Sequence, residues 1–182
     1  IQKEHLVPAL LKEGSNKFTP FVLSVYLDRI MYRIHSGASK PEEILFIFDL
    51  LKNKKFSKNT TNCIPIFTVR ILQEIKRCQK DIEVITENNN LSFMKKNNVS
   101  DILDIRYNNF VALKEALAQL LPYIKSCEKD FTEEYAFTSS NIEQQLVSFN
   151  NVESNLSSSI AETKKRIISY DDSESNEESK WW

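Results

Sequence analysis

The chain has 182 residues, 41% apolar and 10% aromatic, enough for one core domain with an appendage. Its 24 Lys and Arg against 25 Asp and Glu give a net charge of −1, which argues against a nucleic-acid partner for the chain as a whole. Only two glycines, Gly14 and Gly37, leave little room for the glycine-built cradles that bring backbone N–H groups up to phosphates or nucleotides.

The first strong helix is announced by Thr19-Pro20, a good N-cap followed by a proline at a position whose N–H would be unpaired anyway. Phe21, Val25, Leu27, Ile30, Met31 and Ile34 fill its apolar stripe, and Gly37 ends it in the left-handed conformation. Ser39 and Glu42 have capping-box spacing, with Pro41 in the first turn of the next helix. Ile44, Leu45, Ile47, Phe48 and Leu51 make that helix apolar enough to be central. Residues 53–62 are polar and basic and read as an exposed loop.

A third helix is expected from Pro65 to Thr86, where Ile71, Ile75, Cys78, Ile82 and Ile85 recur at steps of three and four. Asn88-Asn89-Asn90 breaks it. Leu91 to Lys96 reads as one short turn. A helix capped at Ser100-Asp101 follows, with an interruption expected at Asn108-Asn109 and an offset at Pro122. Phe110, Leu113, Leu117, Leu120 and Ile124 carry its core stripe.

Asp130 and Glu133 again have capping-box spacing, and neither Pro nor Gly occurs from there to Ser169. Ile142, Leu146, Phe149, Leu156, Ile160 and Ile167 fall on a seven-residue repeat, with Glu153 at one apolar position. The pattern predicts a single amphipathic helix that either packs back on its own bundle or projects, dimerises or lies across another protein. The segment from Asp171 to Ser179 is acidic and serine-rich and precedes Trp181-Trp182. The expected architecture is therefore all-α: an irregular bundle of four to six helices over residues 1–129, a long amphipathic C-terminal helix over 130–169, and an acidic tail over 170–182.

Chemistry-bearing constellations are sparse. Cys63, Cys78 and Cys127 are odd in number and widely spaced, which argues against a disulfide framework and for a reducing, intracellular compartment, cytoplasmic or nuclear. His5 and His35 have no cysteine or acid three or four residues on to complete a ligand set, so no metal site is assigned. A Cys–His nucleophile pair would have to be assembled in space, and no local pattern supports one. The acid pairs Glu42-Glu43 and Glu133-Glu134 stand at helix starts, where the helix dipole favours them. No Walker, dinucleotide or kinase signature occurs. No catalytic or cofactor-binding residue is assigned, and no cofactor is expected.

The expected function is a non-catalytic adaptor or scaffold subunit in a eukaryotic multi-subunit assembly. Partner proteins, or a second copy of the chain, would meet Ile142, Leu146, Phe149, Leu156 and Ile160 on the long helix, with Trp181 and Trp182 filling a pocket. The alternative is a peripheral anionic-membrane module, in which Lys52, Lys54, Lys55 and Lys58 attract phosphoinositide headgroups around Phe56.

Overall fold

In the computed structural model, residues 20–53, 63–127 and 138–170 are described. Among them every regular element is an α-helix: α1 (Pro20–His35), α2 (Glu42–Asn53), α3 (Cys63–Glu87), α4 (Leu91–Lys96), α5 (Val99–Cys127) and α6 (Ser139–Ser169). No helix of the described residues is long and apolar enough to cross a membrane.

The central pair is α3 against α5. The stripe Ile71, Ile75, Cys78 and Ile82 is fully buried, as are Phe110, Leu113, Leu117, Leu120 and Ile124 facing it. The two stripes close on each other because apolar residues spaced by three and four share a helix face. Around this pair α1 packs on α3, α2 on α5, and α6 on both α3 and α5, with the short α4 between α5 and α6. One contiguous hydrophobic cluster contains residues of all six helices.

The turn after α1 follows from Gly37, which has φ +82°. The Gly37 N–H donates to the Ile34 carbonyl at 3.0 Å and the Ala38 N–H to the Arg33 carbonyl at 2.8 Å, the paired bonds of a Schellman cap. A Cβ at Gly37 would stand 3.0 Å from Ile105 Cδ1, so the turn also presses on α5. At the expected capping box the Ser39 hydroxyl instead accepts from Arg33 Nε at 2.9 Å, and α2 starts at Glu42.

One local expectation is corrected. No break occurs at Asn108-Asn109: α5 runs through, and buried Asn109 donates from Nδ2 to the Ile34 carbonyl at 2.8 Å. The asparagine that reads as a helix breaker is instead an interhelical donor, the second after Gly37 N–H to the Ile34 carbonyl at the end of α1. The described start of α6 is Thr138, in extended conformation, whose hydroxyl accepts from the Asn141 N–H at 3.1 Å. The capping pair expected at Asp130 and Glu133, and the expected boundary at 129/130, lie outside the described residues.

Helix α6 has 31 residues and so a length of about 46 Å. Its inward row is Ile142, Leu146, Phe149, Glu153, Leu156, Ile160, Thr163 and Ile167, an uninterrupted alternation of four and three. The polar member Glu153 is explained by Lys114 of α5, whose Nζ meets Glu153 Oε1 at 2.7 Å. Lys114 is itself buried, so the heptad position that breaks the apolar pattern holds an acid because a base faces it.

Candidate functional site

The residues assigned to partners by sequence separate into two groups. Ile142, Leu146, Phe149, Leu156 and Ile160 are all buried in the chain's own core. Phe149 meets Phe110 edge to face, with ring centroids 5.9 Å apart and an interplanar angle of 82°. This corrects the expectation that the stripe is exposed for another protein: α3 and α5 already cover it. A heptad stripe has the same sequence pattern whether it meets its own bundle or a foreign helix, so periodicity alone does not separate the two. The other group, Lys54, Lys55, Phe56, Lys58, Trp181 and Trp182, lies outside the described residues, as does the side chain of Lys52 in α2.

The densest polar constellation among the described residues stands where the C-terminus of α1 meets α3 and α5. His35 is the last residue of α1 and is buried. Its Nδ1 lies 2.6 Å from Glu74 Oε1 and its Nε2 lies 3.2 Å from Asp81 Oδ2, both carboxylates belonging to α3. Asp81 Oδ2 also accepts from Arg106 Nε of α5 at 3.1 Å. The Arg106 guanidinium reaches on to donate to the His35 carbonyl, and so closes the C-terminal end of α1. Each imidazole nitrogen thus faces a carboxylate oxygen, and two acids, one guanidinium and one imidazole are held together with Glu74 only 5% exposed.

Cys78 completes the group. It stands one turn beyond Glu74 on α3, fully buried, with its Sγ 3.6 Å from Glu74 Oε1. Burial pushes the thiol far above its ordinary value of 9.0, and the neighbouring Glu74 carboxylate adds to the rise; Arg106 opposes it more weakly. A Cys–His pair is therefore brought together in space, but in a form unsuited to nucleophilic attack: the thiol is protonated and enclosed.

Sequence reading missed this cluster because its members come from three helices, with His35 and Glu74 39 positions apart. One signal was present. Glu74, Cys78 and Asp81 lie at steps of four and three, so a titratable row runs beside the apolar row Ile71, Ile75, Ile82. Carboxylates directly beside a buried stripe need partners from a neighbouring element.

Two surface grooves flank the bundle. One, about 460 Å³, runs between the end of α3 and α6, where exposed Glu83, Glu87 and Glu162 surround Arg166. Arg166 Nη2 donates to the Thr86 carbonyl at 3.0 Å and to Thr163 Oγ1 at 3.2 Å, so it serves as a C-terminal cap for α3. The other, about 630 Å³, opens between Lys40, Tyr107 and the Lys114–Glu153 pair.

Comparison with known protein families, with curated proteins and with solved structures gives no match. The reading of function rests on the chain itself.

Proposed function

We propose that this chain is a non-catalytic adaptor or scaffold subunit, and that it offers the outward face of α6 to a helix of another protein. The observation that supports this reading is the composition of that face. Among the exposed residues of α6 the charged ones are Glu162 and Lys165, with half-exposed Glu143 and Lys164 paired to Lys125 and Asp104 of α5; the rest are Ser, Asn, Gln and Ala, with Val147 57% exposed near one end and Ile168 82% exposed at the other. A solvated helix face ordinarily carries many charges, whereas the centres of protein interfaces shed them. The inward row buries against α3 and α5 from Ile142 to Ile167, so the outward face belongs to a helix anchored along most of its length.

The test separates the two faces. Val147→Glu with Ile168→Glu places two charges on the outward face without touching the core. Affinity purification of the full chain should lose its partners with this double variant, while the melting temperature stays within a degree or two of the parent. Retention of the same partners at unchanged yield overturns the assignment of that face. A change in native mass of the purified chain alone would identify the occupant as a second copy.

A further inference from the structure

The geometry points to a divalent transition-metal site, suited to zinc, formed by His35 Nδ1, the Glu74 carboxylate and Cys78 Sγ. This inference is independent of the docking face on α6. The three donor atoms lie within 4.8 Å of one another and belong to buried side chains. Their types are those that zinc takes: imidazole nitrogen, carboxylate oxygen and thiolate sulfur. A harder ion fits less well, since one sulfur and one imidazole exclude a magnesium- or calcium-like cage of oxygens.

One of the separations already has the value a tetrahedral site requires. Zinc–ligand lengths of about 2.0–2.3 Å place a sulfur and an oxygen on one zinc roughly 3.6 Å apart, and a nitrogen and an oxygen roughly 3.4 Å apart. Cys78 Sγ and Glu74 Oε1 already stand at 3.6 Å. His35 Nδ1 and Glu74 Oε1 stand at 2.6 Å, a hydrogen bond that a metal would replace by opening the pair about 0.8 Å. Glu74 and Cys78 are one turn apart on α3, so a single helix fixes two ligands, and His35 brings the third from α1.

The surroundings have the form that supports a metal-bound histidine. The far nitrogen of His35, Nε2, faces Asp81 Oδ2 at 3.2 Å, and Asp81 is held by Arg106 at 3.1 Å. A carboxylate behind a ligating imidazole fixes the tautomer and orients the ring. A divalent ion entering would take the place of the proton between His35 Nδ1 and Glu74 Oε1 and of the Cys78 thiol proton, so two positive charges replace the two that leave. Asp81, 35% exposed, marks the side on which the cluster reaches solvent.

The test uses the full chain, treated with chelator and then titrated with Co²⁺ as the probe. The expected result is one equivalent bound, with a sulfur-to-cobalt charge-transfer band in the near ultraviolet that Zn²⁺ abolishes by competition. Cys78→Ala should remove the band, and Glu74→Gln should weaken binding at least about tenfold. Asp81→Asn, which leaves all three ligands in place, should weaken it about 10- to 100-fold. The double change Cys63→Ser with Cys127→Ser should leave the band intact. Circular dichroism of each variant confirms that it folds; Cys78→Ala conserves the small apolar volume and keeps the test usable if Glu74→Gln does not fold. Lack of stoichiometric uptake by the parent chain overturns the site, and so does a band that survives in Cys78→Ala. Either result leaves a purely hydrogen-bonded latch between α1, α3 and α5.

Discussion

Truncating Phe149 to alanine discriminates between the core and partner readings of α6 most directly. Phe149 is 4% exposed, and its ring packs edge-on against fully buried Phe110. Removing a buried phenylalanine ring costs about 3–5 kcal/mol, from lost transfer energy and the cavity left behind. A domain of this size has about 5–15 kcal/mol in total, so the variant should lose a large fraction of its stability. The corresponding fall in melting temperature is roughly 6–20 °C. Urea titration followed by far-ultraviolet circular dichroism measures it: the midpoint should drop while the slope stays constant. An exposed partner-facing residue would instead change stability by no more than about 0.5 kcal/mol. A loss below about 1 kcal/mol for Phe149→Ala, with the fold intact, would refute the packing of α6 against α5.

Three further outcomes follow from particular contacts. Glu153→Leu alone strands Lys114 in the core and should destabilise the protein, whereas adding Lys114→Met should restore stability to the parent level or raise it by about 1–4 kcal/mol, read by the same urea titration. Gly37→Ala should cost about 1–2 kcal/mol, because φ there is +82° and the new methyl group meets Ile105; an unchanged urea midpoint would contradict the turn geometry. The Tyr26 phenol is held above its ordinary value of 10.0 by burial first and by Glu43 second, so its contribution to stability is complete below pH 10 and drains as the pH rises beyond it. Tyr26→Phe should therefore flatten the alkaline fall in stability, and an ultraviolet titration of the parent should show a phenol ionising above pH 10.0 that the variant lacks.

Several features were legible before any fold was known. Pro20 and Gly37 bracket α1 because one tolerates the helix start and the other adopts the left-handed exit. The stripe from Ile71 to Ile82 lies on α3 as its period requires. What was not legible is what each stripe meets. Asn109 reads as a breaker and acts as a donor to α1; Glu153 reads as an irregularity and is the partner of Lys114; Cys78 reads as one more apolar residue and is also the neighbour of Glu74 and His35.

By itself, then, the order of residues determined which segments coil into helices and which side of each is apolar, because both depend on neighbours within two turns along the chain. Only the tertiary structure decided that the apolar row of α6 closes on its own bundle, and that His35 stands among Glu74, Asp81 and Cys78. Those outcomes depend on contacts between residues 25 to 39 positions apart and more. Separations of that kind leave no periodic trace, since any helix with a matching face would satisfy the same pattern.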